Sequence, residues 1–206
     1  MEGKWISFEG GEGSGKTTLI KGLVEKLEER NLPYLLTREP GGVPVAEKVR
    51  EILLEKTDRP MDAMTEAILF AASRRQHLVE KVLPALTEGK IVLMDRYVDS
   101  SIVYQGYARG LGMEKIKALN EFATDGHLPI ITFYLDLAPQ KGLERIIENK
   151  RLMNRLDDEN LDFHKKIREG YLLLCEKEDR LRCLDADKRP QQLLEEVWEI
   201  IAKEIL

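Results

Sequence analysis

Short apolar segments alternate with amphipathic stretches along the whole chain. Apolar residues recur on one helical face between positions 19 and 27 and again between 193 and 201. The apolar segments are short and do not alternate strictly with polar residues, which is typical of buried parallel strands; they span residues 4–8, 34–37, 91–94, 130–135 and 181–184. This order predicts an α/β fold with a five-stranded parallel sheet, helices on both faces and ligands beyond the carboxyl ends of the strands.

Composition narrows the class of protein. Of the 206 residues, 43% are hydrophobic and 33% are charged, as in soluble globular chains. No linker or repeat divides the chain, so we expect one domain over residues 1–206, with a polar lid at about residues 148–160. The apolar runs are too short to cross a bilayer and a secretory signal is absent, which predicts a cytoplasmic protein without membrane contact. The net charge of -5 argues against binding to polymeric nucleic acid.

A glycine-rich stretch directly follows the first predicted strand and precedes the first amphipathic helix. Its sequence, GGEGSGKT, matches the pattern GxxxxGK[ST] of a phosphate-binding P-loop. Glycines let successive backbone N–H groups face an anion, and the helix adds its positive end. Lys16 is expected to reach the β- and γ-phosphates of ATP. The predicted ATP-binding residues of the loop are Gly10, Gly11, Glu12, Gly13, Ser14, Gly15, Lys16, Thr17 and Thr18.

An Asp-Arg pair follows the third predicted strand. Asp95 ends the apolar run, where its carboxylate can reach a nucleotide-bound Mg²⁺ together with the Thr17 hydroxyl, although a turn or helix cap is the structural alternative. Arg96 comes next, and its forked N–H donors can bridge two phosphates. We therefore predict that Lys16 and Arg96 are catalytic and that Thr17 and Asp95 are metal ligands.

Two other nucleotide-binding classes do not fit the residues. A GTPase requires an NKxD motif that reads guanine and a DxxG switch, and the chain contains neither. A dinucleotide-binding Rossmann fold requires GxGxxG, whereas the loop continues from Gly15 into Lys16 and Thr17. A P-loop phosphotransferase fits best, and a non-enzymatic nucleotide-binding switch remains the alternative of another class.

Four further segments, read together with the P-loop, resemble thymidylate kinase. Their order and spacing are specific to that family, and the resemblance extends over nearly the whole chain. The segments are REPGG at residues 38–42, FAASR at 70–74, DRY at 95–97 with SS at 100–101 and YQG at 104–106, and DG at 125–126 before Pro129.

The resemblance implies a pocket for a pyrimidine base. Phe70 is similar to the family residue that stacks on thymine, and Arg74, one helical turn later, to the residue that donates to a thymine carbonyl. Ser101 and Gln105 have the same spacing and resemble the pair that reads the pyrimidine edge. The amide of Gln105 is expected to donate and accept at once.

The resemblance also implies contacts to the sugar and the phosphate of the acceptor nucleotide. Tyr104 resembles the residue that leaves no room for a ribose 2′-hydroxyl. Glu12 resembles the carboxylate that faces the 3′-hydroxyl. Arg38 is similar to the arginine that holds the acceptor phosphate, to which Arg96 is also expected to bind.

Thymidylate kinases carry their catalytic arginine either in the P-loop or on the lid. The P-loop here contains no arginine, so the chain resembles the second, bacterial type. Arg151 and Arg155 are both candidates for the cation that closes over the transferred phosphoryl group, and Arg145 resembles the residue that stacks on adenine. The chain departs from the family pattern at Ile130, where Asp is usual, and at Val43, where a small hydroxyl residue is usual.

The resemblance implies that the chain converts dTMP to dTDP with ATP and Mg²⁺, in the synthesis of dTTP. It also implies a homodimer, with apolar positions on the helix from Met64 to Leu86 and on the helix after Asp95 as the interface. Another P-loop nucleoside monophosphate or deoxynucleoside kinase is the alternative within the same class. Such an enzyme would share the P-loop but lack the pyrimidine-reading residues.

Overall fold

Five parallel strands form the centre of the molecule. The computed structural model describes residues 3–56, 58–148, 155–156 and 159–206. The strands lie in the order β2-β3-β1-β4-β5, and every pairing is parallel, which confirms the predicted sheet. Their bounds are β1 (Lys4–Gly10), β2 (Tyr34–Arg38), β3 (Ile91–Asp95), β4 (Ile131–Asp136) and β5 (Leu181–Asp185).

Helices connect these strands. They are α1 (Lys16–Glu29), α2 (Pro44–Leu54), α3 (Ala63–His77), α4 (Leu83–Thr87), α5 (Val98–Ser101), α6 (Met113–Thr124), α7 (Pro139–Glu148), α8 (Leu161–Lys177) and α9 (Pro190–Glu204). Two π-helical segments, Leu78–Val82 and Ile102–Ala108, continue α3 and α5. In the described ranges, no helix combines the length and the apolar character needed to span a membrane.

Apolar side chains cover the sheet on both faces. Ile6 and Phe8 of β1 are fully buried against α1 and α9. Trp5 points to the opposite face, as alternation along a strand requires, and packs with Val82. Burial of each such side chain stabilises the fold by about 1.5–3 kcal/mol. The predicted helices on both faces are therefore present.

The register of the sheet brings the predicted site residues to one edge. Asp95 is paired with Phe8 of β1 on one side and with Arg38 of β2 on the other. The chain beyond β3 stays close to β1, since the Arg96 N–H donates to the Phe8 carbonyl at 3.0 Å. The P-loop, Arg38 and the Asp-Arg pair thus emerge side by side from the carboxyl ends of three neighbouring strands.

Candidate active site

Two cavities meet at the P-loop. The first, here called the P-loop cavity, has a volume of about 450 Å³ and is lined by residues 12–19, Arg145 and the start of α9. The second, here called the arginine cavity, has a volume of about 360 Å³ and contains Arg38, Arg50, Arg74 and Arg96. Glu12, Lys16 and Thr17 line both cavities. A group bound in one cavity would therefore meet a group bound in the other at these residues.

Backbone geometry explains the glycines of the P-loop. Gly13 and Gly15 have φ angles of 69° and 92°, which glycine adopts readily. Gly13 also lies against the backbone of α7: a Cβ atom there would be only 2.2 Å from the carbonyl oxygen of Gly142. The P-loop is thus held directly against the helix that leads to the predicted lid, a contact that the sequence alone did not indicate.

Two polar side chains of the P-loop, those of Ser14 and Lys16, are buried. Lys16 is 8% exposed, and its Nζ donates to the Gly10 carbonyl at 3.1 Å. Burial lowers the pKa of the Lys16 ammonium, and the positive charge of Arg96 lowers it further. The Ser14 hydroxyl is buried without a hydrogen-bond partner among the described residues. A phosphate group bound here would supply the missing partner.

Asp95 and Thr17 fit a magnesium site. Both line the arginine cavity, and the Oδ1 atom of Asp95 is buried with no hydrogen-bond partner in the described part of the chain. The same part contains no group of three or more His, Cys, Asp or Glu residues that could hold a metal by themselves. One carboxylate and one hydroxyl, completed by water and phosphate oxygens, are the ligands that Mg²⁺ prefers.

Arg96 is held at the centre of the site by a network of polar contacts. Its Nη2 atom lies 2.5 Å from Glu12, and its Nη1 atom donates to Ser100 at 3.3 Å and to the Tyr104 hydroxyl at 3.2 Å. The guanidinium also lies over the Tyr104 ring, 5.3 Å from its centroid. The backbone of Arg96 is left-handed, with φ 68°. A non-glycine residue in this conformation is strained, and such strain concentrates at functional positions.

The predicted base-reading residues lie together in the arginine cavity. Phe70 and Arg74 come from α3, and Ser101, Tyr104 and Gln105 come from α5 and the π-helical segment after it; all five line the cavity. Phe70 is 8% exposed and lines this cavity. The structure thus brings together the residues that the sequence placed on two separate helices.

Arg74 has most of its hydrogen-bonding capacity already in use. Its Nε donates to Glu39 at 2.7 Å, its Nη1 to Ser101 at 3.1 Å and also to Asn120, and its Nη2 to the Tyr97 carbonyl at 3.1 Å. A guanidinium has five N–H donors. The contacts to described residues therefore use four of the five and leave one N–H on Nη2, so Arg74 could donate at most a single bond to a base.

Arg38 and Arg50 also line the arginine cavity. Arg38 is 45% exposed, and its Nη2 lies 3.0 Å from Glu47. Arg50 on α2 donates to the Pro40 carbonyl at 2.8 Å, as Arg38 also does. Burial lowers the pKa of Arg50, and the charge of Arg38 lowers it further. Arg50 was not predicted from the sequence, where it is indistinguishable from a helix-surface arginine.

Comparison with known proteins identifies the family. The family model described as Thymidylate kinase matches residues 8–197. The chain belongs to the thymidylate kinase family. It is 52% identical to the thymidylate kinase of Clostridium novyi (strain NT) over 198 residues, which are 95% of this chain and 97% of that protein. It is 55% identical to that of Geobacillus sp. (strain WCH70) over 190 residues, covering 91% and 90% of the two chains.

A solved member of the thymidylate kinase family has the same architecture. The crystal structure of thymidylate kinase from Ehrlichia chaffeensis is similar with a TM-score of 0.77 at 31% sequence identity. The likeness covers 98% of this chain and 100% of that chain. The predicted α/β P-loop kinase fold is confirmed.

The three arginines predicted on α7 and in the lid differ in their surroundings. Arg145 lines the P-loop cavity, where its Nη1 lies 3.5 Å from the Gly13 carbonyl. Arg155 lies against Glu66, with its Nη2 at 2.6 Å, and donates to the Leu53 carbonyl at 2.9 Å. Arg151 lies outside the described residues, so its predicted role stays a prediction.

The two departures from the family pattern lie away from both cavity linings. Val43 is buried and precedes the first residue of α2. Ile130 is 50% exposed, and its N–H donates to the Trp5 carbonyl at 3.0 Å. Neither substitution alters a residue that lines the P-loop cavity or the arginine cavity.

Glu9 is a buried carboxylate beneath the thymidylate kinase site that the sequence did not reveal. Its Oε1 accepts from the Tyr97 N–H at 2.7 Å, and its Oε2 accepts from the hydroxyls of Ser100 at 2.6 Å and Tyr171 at 2.7 Å. It therefore fixes the turn that contains Arg96. Burial, reinforced by the negative charge of Asp99, raises the pKa of Glu9 to about 7, although Arg96 offsets part of the shift.

We expect replacement of Glu9 by glutamine to change the dependence of stability on pH. Because the folded-state pKa lies above the ordinary value of 4.5, folding favours the protonated form, and its contribution to stability is lost as pH rises through about 7. The melting temperature of Glu9→Gln minus that of the original protein should therefore increase as pH is raised from about 5 to 8. Thermal unfolding at several pH values tests this, with the exposed Glu25→Gln on α1 as control. A difference that does not change with pH would contradict it.

Proposed function

We propose that the chain transfers the γ-phosphoryl group of Mg-ATP to dTMP, giving dTDP for dTTP synthesis. Membership of the thymidylate kinase family makes it an ATP-dependent phosphotransferase. The observation that carries the assignment of the two substrates is that Glu12, Lys16 and Thr17 line both cavities. ATP in the P-loop cavity and dTMP in the arginine cavity would meet at these residues.

On the donor side, the backbone N–H groups of residues 10–18 would bind the phosphates of ATP, with Lys16 reaching the β- and γ-phosphates. The guanidinium of Arg145 lines the same cavity and would stack on adenine. Thr17 and Asp95 would hold Mg²⁺, which neutralises phosphate charge when it is bound.

On the acceptor side, Phe70 would stack on thymine while Arg74, Ser101 and Gln105 bind its polar edge. Tyr104, 5% exposed beneath Arg96, would exclude a ribose 2′-hydroxyl. The acceptor phosphate would be bound by three cations that line the same cavity, Arg38, Arg50 and Arg96. Glu12 would face the 3′-hydroxyl.

The reaction needs positioning and charge neutralisation rather than a base. A phosphate oxygen of dTMP is already an anion at neutral pH, so no proton has to be removed before attack. Lys16 and Arg96 would neutralise the transferred group, assisted by a lid cation, for which Arg151 and Arg155 are the candidates. Closure of the segment at about residues 148–160 would exclude water and suppress hydrolysis of ATP.

We further propose that the chain is one domain, acts in the cytoplasm and forms a homodimer. Exposed apolar residues support a dimer, since Ile68 on α3 and Val79 in the π-helical segment are 51% and 38% exposed. Both lie on the continuous helical stretch that the sequence predicted as interface.

The proposed function is tested by ADP release from Mg-ATP with dTMP, dUMP, UMP, CMP, AMP and thymidine as separate acceptors. We expect strong stimulation by dTMP, weaker stimulation by dUMP and none by the others. Stimulation by a different acceptor would support a kinase activity but contradict the assignment of the base-reading residues. Failure of every acceptor to stimulate would favour a non-enzymatic nucleotide-binding switch.

A further inference from the structure

Glu66 is a buried carboxylate at the back of the base-reading residues. It lies on α3, one helical turn before Phe70, and its side chain is 1% exposed. Its Oε1 accepts from Gln105 Nε2 at 2.9 Å, and its Oε2 accepts from Arg155 Nη2 at 2.6 Å. Arg109 lies at 3.4 and 3.5 Å from the two oxygens. Burial of a carboxylate is costly unless it is paired, and these donors satisfy both oxygens.

The contact with Glu66 determines which end of the Gln105 amide is free. Both oxygens of Glu66 accept hydrogen bonds, so only the NH₂ end of Gln105 can face it. The carbonyl oxygen of Gln105 has no hydrogen bond among the described residues, and Gln105 lines the arginine cavity. Glu66 takes one N–H of the NH₂ group, and the carbonyl oxygen is the end of the amide turned away from Glu66. We therefore infer that Gln105 presents this oxygen, an acceptor, to a ligand.

The neighbouring groups offer donors instead. Ser101 Oγ accepts from Arg74 Nη1 at 3.1 Å, which leaves its own O–H to donate. Arg74 retains one N–H on Nη2. The polar edge of the site thus combines donors at Ser101 and Arg74 with an acceptor at Gln105. A pyrimidine with a 4-oxo group presents the complementary set, because its carbonyls accept and its N3–H donates. Cytosine presents an amino donor at C4 and an acceptor at N3, which would oppose both.

We propose that Glu66 is a specificity-determining residue, which fixes the Gln105 amide so that the site accepts a base with N3–H and rejects cytosine. Arg155 binds the Glu66 oxygen that Gln105 does not use, and so helps to hold the carboxylate in place. The proposal rests on the proposed function, since it assumes that the arginine cavity binds the acceptor base.

The substitution Glu66→Gln tests the proposal, because it should reverse the Gln105 amide. Arg155 and Arg109 can only donate, and Arg155 makes the shorter contact, at 2.6 Å against 3.4 and 3.5 Å for Arg109. The oxygen of the new side-chain amide would therefore take the position of Oε2, and its NH₂ group would face Gln105. Gln105 would then turn its carbonyl toward that NH₂ group and its own NH₂ toward the base. We expect the ratio of kcat/KM for dTMP to that for dCMP to fall by at least about 10-fold. The ratio of dTMP to dUMP should stay constant, because both bases carry N3–H.

A matched control and a compensating variant separate this effect from general damage. Glu80→Gln is the same substitution at an exposed glutamate that also accepts from a glutamine, Gln76, at 2.7 Å, and it should leave both ratios unchanged. The double variant Glu66→Gln/Gln105→Glu restores the original polarity, since a carboxylate at position 105 accepts from the amide at position 66 and offers its second oxygen to N3–H. It should recover the preference for dTMP over dCMP to within about threefold.

The outcomes distinguish a failure of the proposed function from a failure of the proposed role of Glu66. If the original protein shows no dTMP-stimulated ADP release, the proposed function fails. If it does, and Glu66→Gln keeps the original dTMP to dCMP ratio, the role of Glu66 is overturned while the function stands. If Glu66→Gln does not fold, the double variant decides, and a ratio that remains more than about 10-fold below the original overturns the proposal.

Discussion

Replacement of Lys16 by methionine should lower kcat by about 10²–10³-fold while the protein stays folded. Lys16 is 8% exposed, and in the described structure its Nζ contacts the carbonyls of Gly10 and Gly11. Methionine has a similar length and no charge, so it fills the same space without a buried cation. The lost interaction is the one with the transferred phosphoryl group, where the charge changes during the reaction.

Steady-state kinetics and thermal unfolding test the Lys16→Met prediction together. Lys21→Met is the control, because Lys21 is an exposed lysine on the same helix. We expect KM for dTMP to change little, since Lys16 acts on the donor phosphates, and the melting temperature to remain at or above the original value. A kcat within about tenfold of the original would show that Lys16 does not stabilise the transferred group.

The fold and the donor side of the site could be predicted from local sequence. Buried strands are short apolar runs, and the P-loop lies between one such run and an amphipathic helix, so contiguous residues specify both. The ends of strands are predicted less well. The first apolar segment ends at residue 8, whereas β1 continues to Gly10, where the P-loop pattern begins. Strand ends depend on pairing with neighbouring strands, which periodicity does not report.

The buried carboxylates of the site could not be predicted, because their partners are distant in sequence. Glu9 contacts Ser100 and Tyr171, which are 91 and 162 residues away. Glu66 contacts Arg155, 89 residues away. The Gln105 amide was expected to donate and accept at once; the structure directs one N–H of its NH₂ group to Glu66. Only the folded chain shows which end remains for a ligand.

Two ion pairs in the arginine cavity differ in burial, and therefore in whether the arginine can leave its partner to bind a ligand. The pair of Arg38 with Glu47 is 45% and 39% exposed, and such pairs contribute about 0–1 kcal/mol. The pair of Arg74 with Glu39 is 2% and 3% exposed, and loss of one partner in a buried pair costs about 3–5 kcal/mol. Arg38 can therefore leave its partner to bind a phosphate, whereas Arg74 must keep its partner and serve as a fixed donor.

Replacement of Arg96 by alanine or by glycine should lower kcat/KM for dTMP by about 10³-fold or more. Arg96 lines the arginine cavity and contacts Glu12, which lies in the P-loop, so under the proposed function its guanidinium would lie between the two substrates. Its removal also leaves the Glu12 carboxylate without this partner, close to the bound phosphates, which adds repulsion to the lost attraction.

The two Arg96 variants separate the lost guanidinium from backbone strain. Alanine at φ 68° retains the left-handed conformation that costs an L-residue about 1–2 kcal/mol, whereas glycine relieves it. Arg96→Gly should therefore unfold at a higher temperature than Arg96→Ala, and yet both should be equally inactive. Arg75→Ala is the control, because Arg75 forms an exposed ion pair with Asp125 and should retain full activity. If Arg96→Gly recovered activity to within about tenfold of the original, the loss in Arg96→Ala would reflect strain, and the guanidinium would not be a catalytic group.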